Sequence, residues 1–181
     1  MKFKSYLSFF YFVILAGVLL FGCGSQSGFF ESSSGSISKS NPRVKAPNFN
    51  LRDINGKNFS LASLKGKVIF LDFWATWCPP CVWSSPQVEA LAEKYSGKKL
   101  EVISISLDTS EDQVRRFFEG KTVKTRVALA GDSGVEVQYR VSGIPAFFLI
   151  DQEGYLAKRW GGFNENLPNI WKKEIDILLK I

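Results

Sequence analysis

The chain contains no histidine. That absence excludes His-based triads, His-ligated zinc or copper, and c-type haem attachment, whose CxxC needs a following His. Cysteine is scarce: three in 181 residues, too few for a disulfide-stapled scaffold or a four-thiolate metal site. Methionine occurs once, as Met1, so a Met-rich copper site is excluded, and a copper-carrying binding protein loses its soft ligand set. Charge is not strongly of one sign. The 23 Lys+Arg against 17 Asp+Glu give +6, or +4 without Lys2 and Lys4, too mild and scattered for a nucleic-acid partner. Hydrophobic residues at 45% and charged residues at 22% exclude disorder throughout.

Residues 1–22 read as an export signal. Lys2 and Lys4 form a basic start, and Tyr6 to Phe21 is apolar but for Ser8, shorter than a spanning helix needs. The stretch ends Leu20-Phe21-Gly22-Cys23, which resembles a bacterial lipobox with a bulkier residue than usual at Phe21. On that reading Cys23 receives lipid; left uncleaved, the stretch is a short N-terminal anchor. Both readings put the domain outside the cytoplasm, at a membrane surface. Residues 23–45 are rich in Ser and Gly and read as a flexible tether with a reach of about 25 Å. Residues 46–181 form the folded domain, long enough for a core of its own.

Within that domain Phe49-Asn50-Leu51 and Asn58-Phe59-Ser60-Leu61 flank Asn55-Gly56, a hairpin signal. Val68 to Phe73 predicts a strand buried on both faces, with Asp72 conspicuous inside it. A helix follows through Val88, Leu91, Ala92 and Tyr95, closed by Gly97. Leu100 to Leu107 alternates as a strand. Ser110 and Gln113 predict a capping box opening a helix through Phe117-Phe118. A short helix is expected near Val135 to Tyr139, strands at Ala146 to Ile150 and Tyr155 to Trp160, and a helix from Leu167 to Leu179. Strands alternating with helices predict an α/β fold with parallel pairs early and a hairpin late.

The chemistry lies in Trp77-Cys78-Pro79-Pro80-Cys81, at a junction between buried strand and helix. There the unpaired N–H groups and the positive end of the helix dipole favour Cys78 as a thiolate. Cys81, one turn on and deeper, is close enough to form a disulfide with it. Cys78 then attacks a target disulfide and Cys81 resolves the mixed disulfide. Pro79 and Pro80 remove donors near the sulfur, which weakens the thiolate's support. The same pair could be half a zinc site, but nothing completes it. As a purely structural disulfide it would close too short a loop to stabilise much.

The segment Asp72-Phe73-Trp74-Ala75-Thr76-Trp77-Cys78-Pro79-Pro80-Cys81, with Pro86 beyond, resembles the active-site segment of thioredoxin-fold proteins. It is most similar to the membrane-anchored TlpA/ResA-like thiol–disulfide oxidoreductases. Leu61-Ala62-Ser63-Leu64-Lys65-Gly66-Lys67 and Ser142-Gly143-Ile144-Pro145 support the match, which covers nearly all of the domain. The resemblance implies a thioredoxin-like fold: a central mixed β-sheet flanked by helices, with an N-terminal β-hairpin and a central insertion. It implies that Pro145 is a cis-proline packed on the cysteines and that the backbone of Ile144 pairs with substrate. The bare sequence permits an ordinary trans proline there. Trp77 would cover the rim of the site and Gly161-Gly162 would lie nearby, while Trp74 and Trp160 read equally as core.

Two positions depart from that family. Asp72 stands where that group usually carries Asn, although thioredoxin proper has a buried Asp there, and Ser84 replaces an acidic residue. A carboxylate in an apolar strand has a raised pKa and can take the Cys81 proton, although a solvated strand-end Asp would not. The resemblance further implies an extracytoplasmic oxidoreductase acting on protein disulfides and dithiols. It would act as a reductant, extending to cytochrome c maturation, as a monomer, with no cofactor and no metal. A membrane thiol transporter of the DsbD/CcdA type would supply electrons. The rivals are a thiol oxidant and a peroxiredoxin. The latter expects Pro and Thr where this chain has Leu71 and Ala75.

Overall fold

The computed structural model describes residues 43–181. A hairpin of β1 (Asn50–Arg52) and β2 (Asn58–Ser60) comes first. It is followed by β3 (Val68–Trp74), α1 (Pro79–Lys94), β4 (Leu100–Ser106), α2 (Glu111–Phe118), β5 (Arg126–Leu129) and α3 (Val135–Gln138). The chain ends with β6 (Ala146–Ile150), β7 (Leu156–Gly161) and α4 (Leu167–Leu179).

Every residue of β3 is buried, because its near-continuous apolar run is covered on both faces. It is the middle strand of a five-stranded sheet ordered β5-β4-β3-β6-β7. β3, β4 and β5 run parallel, while β6 and β7 are antiparallel to their neighbours. Side chains alternate across the sheet. Val68 and Phe70 pack with Val88 and Leu91 of α1 and with Trp171 and Ile175 of α4. Ile69, Leu71 and Phe73 meet the hairpin and Val135 of α3 on the other face. The result is the expected α/β architecture, a mixed central sheet flanked by helices with an N-terminal hairpin. Between β4 and β6 the chain supplies α2, β5 and α3.

Four details differ from the sequence reading. Asn55-Gly56 is the tip of a longer loop, and only Gly56 takes a positive φ, at 83°. The buried carboxylate of Asp53 holds that loop by accepting from the N–H groups of Asn55 (3.0 Å) and Lys57 (2.9 Å). β5 has no counterpart in the periodicity: it is a four-residue edge strand opened by Arg126, which is fixed by Glu101 and Asp53 and lies over the Phe59 ring. Ser110 caps α2 through the N–H of Asp112 at 3.3 Å, but no capping box forms. The Gln113 side-chain oxygen is buried without a partner instead of reaching back. Finally, ordered contacts begin ahead of Ala46. Val44 accepts from Leu156 N–H at 2.9 Å, Lys45 bridges to Tyr155, and Arg43 pairs with Asp151. Residues 43–45, placed in the tether by composition, therefore lie along the start of β7. The leader, Cys23 and the rest of the tether fall outside the described residues.

Candidate functional site

β3 delivers the chain to the end of the sheet where its parallel strands finish, and α1 carries it away again. Cys78 is the N-cap of α1, with extended backbone (φ −99°, ψ 103°), and Pro79 and Pro80 fill the next two positions, where a helix needs no N–H. Cys81, one turn on, is joined to Cys78 by a disulfide, with Cα atoms 5.2 Å apart. The Cys81 N–H points at the Cys78 sulfur at 3.3 Å. This is the first N–H after the two prolines, shared with the Cys78 carbonyl at 3.0 Å, and with the helix dipole it favours a thiolate at Cys78 once the pair is reduced. Both cysteines are buried in the oxidised protein, Cys81 more deeply.

A second loop closes over the sulfur pair. The Ile144–Pro145 peptide bond is cis, as the resemblance implied, and the Ile144 carbonyl oxygen lies 3.7 Å from the Cys78 sulfur. The Pro145 carbonyl accepts from Gly162 N–H at 2.8 Å, where Gly162 takes φ 72°, so the glycine loop ties the proline loop down. Trp77 projects beside the pair, 65% exposed. Trp74 is fully buried against Phe117 and Phe118, in one cluster with both cysteines. Trp160 is half-buried and packs at the edge of the α4 core.

Asp72 shares the α1 face of the sheet with Phe70 and Trp74 and is 3% exposed. A solvated strand-end carboxylate is therefore excluded. Among the described residues its only side-chain partner is the Ser104 hydroxyl, which donates to one oxygen at 3.4 Å, and the other oxygen has none. Burial pushes its pKa up to about 7; the Ser104 hydrogen bond opposes this and the charge of Glu89 adds to it. Such a group gains and loses a proton near neutrality. Ser84, standing where an acidic residue is usual, is fully buried and donates to the Cys81 carbonyl at 3.0 Å.

The sequence reading missed Asp108. This buried carboxylate accepts from Thr76 N–H (2.9 Å), the Thr76 hydroxyl (2.7 Å) and the Ser106 hydroxyl (2.6 Å). It thereby fixes the turn that leads from β3 to Cys78. The signal was available in the strand pairing: parallel β3 and β4 set Asp72 beside Ser104 and Trp74 beside Ser106, so two residues on Asp108 meets Thr76. Sheet ends of this kind are where sites are built.

The AhpC/TSA family model matches residues 42–159. Among relatives, the thiol-disulfide oxidoreductase ResA of Bacillus cereus is 35% identical over 147 residues, spanning 78% of this chain and 83% of that protein. The ResA of Bacillus subtilis is 38% identical over 113 residues, covering 62% and 63%. Among solved structures, a thiol:disulfide interchange protein described as DsbE, from Chlorobium tepidum, superposes with a TM-score of 0.71 at 31% identity. It covers 76% of this chain and 96% of its own. The exposed lipoprotein thioredoxin of Streptococcus pneumoniae gives 0.60 at 28% identity, covering 70% and 97%. Family model, relatives and solved structures all converge on the domain that carries the Cys78–Cys81 pair, and the chain belongs to the AhpC/TSA family as a ResA-like, thioredoxin-fold thiol–disulfide oxidoreductase.

Proposed function

We propose that the chain is an extracytoplasmic reductant of protein disulfides. The observation that carries this reading is the closed Cys78–Cys81 pair at the start of α1, with the Ile144 carbonyl on one side and Asp72 buried below α1. In the reduced protein the Cys78 thiolate attacks one sulfur of a substrate disulfide, and the other substrate sulfur leaves as a thiolate. Cys81 then gives its proton to Asp72 and attacks the Cys78 sulfur, releasing the second substrate thiolate and closing the disulfide seen here. Two electrons pass to the substrate. Trp77, Ile144 and Pro145 form the surface on which an extended substrate segment pairs.

The closed pair must then be reduced again. A membrane thiol transporter of the DsbD/CcdA type fits that need for a domain held outside the cytoplasm through a lipid on Cys23. The lipobox-like leader supports the anchor; among the described residues no helix is long and apolar enough to cross a membrane. Cytochrome c maturation is the substrate pathway to which the TlpA/ResA-like pattern leads. The oxidant alternative differs in potential, and a titration against glutathione separates the two. A peroxidase is disfavoured by Leu71 and Ala75, and by a second cysteine within one turn of the first.

Trapping tests the proposal. Cys81→Ser should accumulate a mixed disulfide through Cys78 with its protein substrate, and Cys78→Ser should accumulate none. The wild-type protein should speed insulin reduction by dithiothreitol. Adducts on neither variant, with no acceleration, would remove these cysteines from the reaction.

A further inference from the structure

α1 buries Cys81, Ser84, Val88 and Leu91, as a core-facing helix should. Its opposite side breaks the pattern in which such a helix turns polar residues to water. Pro79, Val82, Trp83 and Pro86 recur at helical spacing and all are exposed, Trp83 by 68%. This ridge begins at Cys78 itself. From Ala75 to Val88 the chain carries no charged side chain, and none occurs in Val141 to Ile150 or Trp160 to Asn164, which supply the proline and glycine loops. Farther along, Val82, Pro86 and Ala90 line a groove of ≈ 730 Å³ whose other wall includes Phe117 and Phe118. Charge returns along that groove with Glu89, Glu93, Lys121 and Lys124, and at the outer ends of the two loops with Arg140, Arg159 and Glu165.

We infer that Trp83 is a specificity-determining residue, and that the ridge from Pro79 to Pro86 extends the substrate surface to take polypeptide disulfides flanked by apolar, uncharged residues. The inference rests on the exchange at Cys78 proposed above and adds the class of substrate. The occupant is a substrate polypeptide because the ridge is continuous with the reacting sulfur. A segment crossing Cys78 from Ile144 continues onto Pro79 and Val82, and meets the Trp83 ring. Large rigid aromatic rings dominate recognition of this kind. A neutral surface offers no ion pair to a charged flank and no long-range attraction for salt to screen.

The test uses the full-length protein and two peptide disulfides differing only beside the cysteine, Leu-Phe in one and Glu-Glu in the other, with hydroxyethyl disulfide as a small neutral control. The expected kcat/KM favours the apolar peptide by about tenfold. It changes less than about twofold between 50 and 500 mM NaCl. Trp83→Ala should reduce kcat/KM for the apolar peptide far more than for hydroxyethyl disulfide, mainly through KM, and Trp83→Phe should recover most of the preference. A preference that survives Trp83→Ala overturns the inference, as does an equal loss on all three disulfides or a steep salt dependence. Dimerisation or binding to lipid vesicles that Trp83→Ala abolishes, with the peptide preference intact, would assign the ridge to a second copy or a membrane and overturn it too. Absence of turnover even with hydroxyethyl disulfide would strike the exchange reading beneath, and this inference with it.

Discussion

Asp72, within β3, and Asp108, two residues past the end of β4, are buried to the same depth, 3% exposed, yet their surroundings are opposite. Asp108 accepts from a backbone N–H and two hydroxyls; Asp72 accepts one long hydrogen bond and leaves an oxygen bare. A carboxylate with its lone pairs filled is a clamp, and here it clamps the turn before Cys78. One left without donors cannot hold its charge cheaply and becomes a proton carrier. On the proposed mechanism the fold separates holding the site from working it, using the same side chain twice.

That contrast can be broken by exchanging the two behaviours. Asp108→Ala strips the partner from three donors at once, two on half-buried Thr76 and one on fully buried Ser106. Unfolding by urea should show a loss of about 3–5 kcal/mol, the largest effect in this set. Asp72→Asn should leave the fold intact but slow resolution of the mixed disulfide about 100-fold, read by quenched-flow trapping of the Cys78 adduct. An unchanged rate removes Asp72 from the mechanism.

Asp72 also gives stability a pH dependence of definite sign. Its folded pKa of about 7 lies above the ordinary carboxylate value, so between about pH 4 and 7 the folded chain keeps a proton that the unfolded chain has lost. Its contribution is fully present below that window and is lost as pH rises through 7. Asp72→Asn should therefore be more stable than the wild type at pH 8, by about 2–4 kcal/mol, with the gap closing toward pH 4. Denaturation of the oxidised proteins at both pH values checks this. The smallest change sharpens the same picture: Ser104→Ala removes the one hydrogen bond that restrains the pKa. It should shift the lower limb of the pH–rate profile upward by a few tenths of a pH unit.

The site is legible in the sequence wherever a single element carries its own pattern. β3 announces itself as an unbroken apolar run, and α4 as a helical repeat ending in the core through Trp171 and Ile175. The cysteines are legible because strand, prolines and helix meet in one stretch of chain. What escapes is anything that depends on two distant stretches. β5 is a strand because Arg126 is neutralised by Glu101 and Asp53 and because β4 offers it an edge, neither of which its own four residues reveal. Asp108 looks like a loop residue until parallel pairing places it opposite Thr76. Ser110 and Gln113 have the spacing of a capping box, yet packing at α2 turns the Gln113 side chain elsewhere. Trp83 escapes the sequence reading altogether, since only the burial of Cys81, Ser84 and Val88 shows which side of α1 is left uncovered.

The strap formed by residues 43–45 has a consequence for orientation. It meets the domain beside Tyr155 and Asp151, next to Ile150, which pairs with Ile69 near the start of β3; the sulfur pair lies past Trp74, at that strand's other end. Entry point and reactive pole are therefore set apart by about the length of β3, some 20 Å. Held on a bead or electrode directly at Arg43, the domain would face its chemistry toward the solution, and it would have to tip over to reach anything embedded in the surface that holds it.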